Sequence, residues 1–226
     1  MNEPREDASA RGHTIWDLPL RLYHGCMVVL LVLQFGTAEW GWLDMHWHFR
    51  FGYAFLALLL FRVAWAFAGS DNVRLRRLLS GPAALLDYAR HWRTTPASRF
   101  AGHNPFGGWA TVLIVGALLL QAISGLATGD DIEWFGPWAD RLPAAWAARA
   151  AWLHHLLPNL ILLLVAMHVI AVASYFLLKR ENLVLAMWHG RRALDVAPPR
   201  LAGKARAAWI LLACIAIVAA LVAFGA

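Results

Sequence analysis

Residues 152–179, WLHHLLPNLILLLVAMHVIAVASYFLLK, limit the possible folds more than any other part of the chain. The stretch is long and apolar enough to cross a bilayer as one helix, yet it carries His154 near one end and His168 further in. Their offset of fourteen positions corresponds to about 21 Å along a helix axis. They are also two heptads, so in a helix supercoiled at about 3.5 residues per turn both imidazoles face the same way. The seam His154, Pro158, Ile161, Val165, His168 then looks into a bundle interior. Ionisable side chains at membrane depth are costly and mark functional paths, and neutral imidazole is a common ligand of metals and haem iron. This helix is therefore expected to offer one axial ligand to each of two stacked haems.

Composition decides whether such a helix sits in a membrane or in a large soluble core. Of the 226 residues, 60% are hydrophobic and 13 are Trp, which is far from the usage of soluble domains. Four further apolar stretches are expected to span, at about 18–37, 45–68, 109–128 and 207–224. Asp17 is placed to cap the first, with Pro19 in its first turn. Between the second and third lies a polar segment, 70–108, in which SGPAALLDYARHW reads as a short amphipathic helix on the membrane surface. Residues 1–13, MNEPREDASARGH, have no apolar core of a signal peptide and are expected to form a disordered tail. The expected fold is an all-α integral membrane protein: a four-helix di-haem transmembrane bundle over 14–190, then a basic connector and a fifth C-terminal transmembrane helix over 191–226.

The formal charge of +6 is read as topology and not as nucleic-acid affinity. Arg74, Arg76, Arg77, Arg90, Arg93 and Arg99 follow the second span, and a second basic run with Lys179, Arg180, Arg191 and Arg192 follows the fourth. The loops after the first and third hold Glu39 and Asp44, then Asp130, Asp131, Glu133 and Asp140. The positive-inside rule puts the amino terminus in the cytoplasm and the carboxyl terminus in the periplasm, across a bacterial inner membrane. Most of the Trp residues crowd span ends, where they anchor to the interfaces. Cys26 and Cys214 both fall inside spans and neither belongs to a C-x-x-C-H, so covalent haem attachment is excluded and a disulfide is not expected.

Orientation gives every histidine a depth. A haem needs two ligands at one height on facing helices, which pairs His48 with His154 on the periplasmic side and His24 with His168 on the cytoplasmic side, the second pair less level than the first. A lone membrane histidine is commonly a helix-to-helix hydrogen-bonder, but four that fall into two level pairs are poorly explained that way. His46 remains a rival to His48 on the opposite face of the same helix. His155 turns about 100° from His154; His91, His103 and His189 are assigned to solvent, and His13 to the tail. Arg21, one turn before His24, is a candidate partner for a haem propionate or a snorkelling anchor. Gly52, one turn after His48, would let a macrocycle approach the backbone; Gly36, Gly116 and Gly125 would do the same or serve helix packing.

The segments WDLPLRLYHG, HFRFGYAFLALLLFRVAW, GHNPFGGW and HHLLPNLILLLVAMHV resemble, in this order, the bacterial cytochrome b561 family, in its branch with the cytochrome b subunits of membrane-bound nickel-iron hydrogenases. The resemblance covers about 16–190. It implies a di-haem core relaying electrons between a periplasmic redox partner and membrane quinone, with ligands at His24, His48, His154 and His168. The family's H-x-x-x-G in the second span selects His48 with Gly52 over His46. Two positions depart from the family pattern: His155, where Glu is usual, and Pro158, where Ala is usual. Pro158 deprives the His154 carbonyl of its helical donor and is expected to kink the helix there.

Two haems b with two histidines each leave no open coordination position, so one-electron transfer is the expected chemistry. The expected partners are lipid, quinone and a periplasmic redox protein such as a c-type cytochrome, whose basic surface would suit acidic periplasmic loops. His103 and Asn104 are the residues offered for quinone, and a homodimer is compatible with the pattern. Rival readings are a quinone-coupled superoxide oxidase, which would want a basic periplasmic funnel, a haem-free metal-ion channel, and a passive membrane anchor.

Overall fold

Why these stretches become helices with these ends is visible at their caps. The computed structural model describes residues 12–129 and 133–225. Residues 1–11 of the expected tail, and Asp130 and Asp131 of the expected acidic loop, lie outside the described residues. In chain order the elements are β1 (His13–Thr14), α1 (Leu18–Glu39), α2 (Met45–Ala68), α3 (Leu75–Leu78), α4 (Pro82–His91), α5 (Pro105–Gly125), α6 (Ala144–Lys179), α7 (Leu183–His189), β2 (Arg191–Arg192) and α8 (Lys204–Gly225), with three single 3-10 turns between them. Five of the helices, α1, α2, α5, α6 and α8, are long and apolar enough to cross a membrane.

The span 45–68 is observed with the expected ends, and α1 continues two residues past 37. The other starts differ for local reasons. Helix α5 begins at Pro105 and not at 109, because the Asn104 side chain accepts from the Gly107 amide at 2.8 Å and Pro105 occupies the first turn. It stops at Gly125 because the following loop folds back, Trp138 donating to the Leu126 carbonyl at 2.8 Å. Helix α6 begins eight residues before 152: the run AAWAARAA has helical propensity without the hydropathy of a span. It continues through Pro158 to Lys179 as one helix.

Helix α6 lies along α5, α1 along α2, and α5 also contacts α2. The approach of α6 to α1 and α2 is sparse. A central core of Met27, Phe55, Leu59, Ala117, Leu118, Leu157 and Ile161 holds the four helices together at mid-height. The fifth span, α8, packs on the outer side of α2 through Val218 against Leu56 and Ala57, and through Ala207 and Cys214 against Phe61 and Trp65. Both cysteines are free.

The end of the bundle near Asp17 is tied by one buried carboxylate. Asp17 accepts from the Leu20 amide at 2.7 Å, capping α1 as its position implies, and its other oxygen takes Trp65 Nε1 at 3.2 Å and the Ser70 hydroxyl. Ser70 in turn accepts from the Ala202 amide at 2.9 Å, which brings in the connector to α8. His13, expected in a disordered tail, instead pairs in β1 with Arg192 of β2. The reason is Gly190: it ends α7 at φ +77, and its carbonyl accepts from the amides of Ile15 (2.8 Å) and Trp16 (3.2 Å), drawing the amino-terminal strand onto the connector.

Asp17→Ala removes a cap worth about 1 kcal/mol and strands two buried donors at about 1–3 kcal/mol. The thermal unfolding midpoint in detergent is expected to fall clearly for Asp17→Ala, and much less for Asp17→Asn.

Candidate functional site

Each chemically interesting ring is positioned by a neighbouring helix. On α2, His48 Nδ1 lies 3.0 Å from the Thr37 hydroxyl of α1, which itself donates to the Leu33 carbonyl at 2.8 Å. With its amide turned to donate, the Gln34 nitrogen of α1 also reaches this Nδ1, at 2.9 Å. On α6, His154 Nδ1 lies 3.0 Å from the Gln121 carbonyl of α5, an acceptor that favours the proton on that nitrogen. His154 Nε2 lies 3.3 Å from the Gln121 side-chain amide; in both rings a neighbouring helix holds Nδ1, which orients the ring as a ligating imidazole is oriented. The ring centroids are 6.5 Å apart at an interplanar angle of 87°. Two metal–nitrogen bonds of about 2 Å each, plus the extent of the two rings, ask for that spacing.

The two rings line a cavity of about 320 Å³ whose other walls include Leu31, Phe49, Phe55 and Leu118. Gly125 also lines it; a Cβ there would stand 2.8 Å from His154 Cε1, so the ring can occupy its position only against a glycine. The Gln121 Oε1 and Thr128 Oγ1 atoms on the same wall are buried without a partner. Among the described residues no group of three or more His, Cys, Asp or Glu could hold an ion. A porphyrin already fills four positions around its iron, so a facing histidine pair in an apolar cavity suits haem and not a free ion.

His46 stands away from this cavity, exposed, with its ring against Trp134 at 4.4 Å. His155 is exposed and 6.3 Å from His154. Gly52 lines the cavity, but the Gln34 amide lies over it, 3.0 Å from where a Cβ would be, and within reach of His48. Gly36 serves as a seat for the Trp42 ring, and Gly116 faces open space.

At the other end, His24 of α1 and His168 of α6 are close enough to act on each other by charge. Among the described residues neither hydrogen-bonds, and His168 is exposed although it lies eleven residues inside α6. Bare imidazole at bilayer depth is expensive unless something coordinates it, so this pair fits the same group as the first. Arg21, expected near a propionate, donates to the carbonyls of Met187 (3.1 Å) and Trp188. It thereby caps the carboxyl end of α7, where a cation is favourable.

His103 is not in solvent, contrary to the reading of its segment as a polar surface stretch. Trp16 packs edge-on against its ring at 5.0 Å, and its Nδ1 is buried without a partner. Burial, and then the charges of Arg62, His168, Arg192 and His24, push its pKa down to about 3. Local sequence concealed this because α4 and the loop after it fold back under the bundle: the Asn104 amide donates to Tyr175 of α6 at 2.7 Å, and the Tyr175 hydroxyl also meets that of Tyr88. His91, by contrast, is exposed beside Asp87, and His189 is exposed at the end of α7. Thr37 and Gln121 also went unread; a hydroxyl and an amide inside apolar spans were the only signals they offered.

A helical membrane bundle with facing, pre-oriented histidines defines a haem-binding membrane protein. The family model of prokaryotic cytochrome b561 matches residues 15–190, and the chain belongs to that family: it is a multi-pass transmembrane b-type cytochrome of electron transfer, binding haem b. No curated protein and no solved structure matches the chain.

Gly125→Ala is expected to push the His154 ring aside, shifting or abolishing the low-spin haem signal in electron paramagnetic resonance. Gly116→Ala, which meets nothing within 4 Å, should leave the spectrum unchanged.

Proposed function

We propose that residues 14–190 bind two haems b, one between His48 and His154 and one between His24 and His168, and relay electrons between a periplasmic redox partner and the quinone pool of a bacterial inner membrane. The observation that carries this reading is the first pair, two imidazoles at ligand spacing whose Nδ1 atoms are already occupied. A haem held by two histidines supplies reversible one-electron transfer with no position left for substrate. Thr37 and Gln121 hold the ligand rings in one orientation, so little rearrangement accompanies a change of charge. Phe55, Leu59, Leu118 and Ile161 keep water out of the middle of the bundle.

The orientation follows the loop charges, with the amino terminus and 70–108 in the cytoplasm and the carboxyl terminus in the periplasm. Glu39, Asp44, Glu133 and Asp140 then give the periplasmic face an acidic character suited to a basic partner such as a c-type cytochrome. The quinone meets the chain at the opposite face beside Asn104 and Tyr175, where an amide and two hydroxyls already form a hydrogen-bonded group. Beyond the connector, α8 is an addition to the four-helix core that shields α2 from lipid.

A reduced-minus-oxidised spectrum with a pyridine haemochrome assay is expected to count two haems b per chain. His24→Ala, His48→Ala, His154→Ala and His168→Ala should each leave one, and His46→Ala both. Colourless protein, or loss of a haem in His46→Ala but not in His48→Ala, would overturn the assignment.

A further inference from the structure

Arg62 lies inside α2, six residues from its end, and is only 3% exposed. A buried guanidinium is normally answered by a carboxylate or by carbonyls, because an unpaired interior charge is costly. Among the described residues Arg62 makes no hydrogen bond and no ion pair. The groups that act on it by charge are Tyr23 and Asp17, and the oxygens of Asp17 are already taken by Leu20, Trp65 and Ser70. Arg192 reaches the same region from β2. Its Nη2 donates to the carbonyls of Ala97 (3.0 Å) and Phe100, while its Nε is buried with no partner. His103, whose Nδ1 is buried with no partner, is near enough to both for their charges to act on it. Three donors from three separate parts of the chain thus converge around His24 and His168 with capacity left over.

Such a group selects an anion with several acceptor oxygens. If His24 and His168 hold a haem, that haem brings two carboxylates to this depth. We propose that Arg62, Arg192 and His103 form a buried clamp for the propionates of the haem held by His24 and His168. Arg21, the arginine nearest His24 in sequence, is committed to the end of α7 and takes no part. The clamp rests on the two-haem reading, and its test separates the two.

The test uses the full chain purified in detergent, with haem count, midpoint potentials from a spectroelectrochemical titration, and the resonance Raman bending bands of the propionates. A buried cation favours the reduced haem, so Arg62→Gln and Arg192→Gln should each lower the potential of one haem, the one missing in His24→Ala, and shift its propionate bands. The other haem should keep its potential. Arg62→Lys should retain most of the wild-type potential, and Arg21→Gln should leave both potentials unchanged. Two haems bound with unaltered potentials and bands in both Gln variants would overturn the clamp and leave the two-haem reading standing. A single haem in the wild type would remove both. A wild-type potential that moves with added inorganic phosphate, or with exchange of anionic for zwitterionic lipid, would assign the anion to solution or membrane and overturn the clamp.

Discussion

An imidazole nitrogen inside a bilayer has no water to turn to, and the arrangement of this bundle follows from how each such nitrogen is answered. At the His48 end the answer lies within the protein: Nδ1 of each ring meets Thr37 or the Gln121 carbonyl, and His154 Nε2 meets the Gln121 side-chain amide at 3.3 Å. At the His24 end the protein leaves both rings without hydrogen bonds. The close packing of α6 on α5, and its loose approach to α1 and α2, is the geometry this demands. A helix that presents His154 and His168 at two heights to its neighbours must be held firmly on one side and stand off on the other.

The amino-terminal junction shows how the same rule disciplines the rest. Asp17 is buried only because three donors from α1, α2 and the turn after α2 converge on it. Ser70 then carries the network to the segment before α8, so the outer helix is registered against α2 by polar contacts at one end and by Val218 higher up. Removing an outer helix of this kind exposes Leu56, Ala57 and Trp65, which sit at the α2–α8 contact.

Much of this was legible because membrane helices obey few rules. The bounds of α2, the cap at Asp17 and the five spans follow from hydropathy and cap residues, and the pairing of His48 with His154 from the depth that charge asymmetry assigns them. What was not legible depends on chain that returns to the bundle from outside it. His103 reads as solvent because its neighbours are polar, and only the docking of Asn104 on Tyr175 puts it inside. Arg21 reads as a haem partner because it sits one turn from His24, and only α7, arriving from 166 positions away, claims it. The early start of α6 escaped because alanine propensity, and not hydropathy, extends it.

The two ends also differ in charge, and this bears on where an electron prefers to reside. Around His48 and His154 the cavity is lined by amides and a hydroxyl, Gln34, Gln121 and Thr128, and by the carboxylate of Glu39. Around His24 and His168 stand Arg62 and Arg192, on which the Asp17 and Glu181 carboxylates act by charge. Buried cations stabilise the site that gains an electron, and in the low-dielectric interior little screens them. In the proposed orientation the cationic end faces the cytoplasm, so an electron moving inward gains from the arginines while it works against a membrane negative inside. That opposing cost is about 2.3 kcal/mol per 100 mV for a full crossing. The buried cations therefore act against the field, and they flatten an energy profile that two identical haem sites would leave tilted outward.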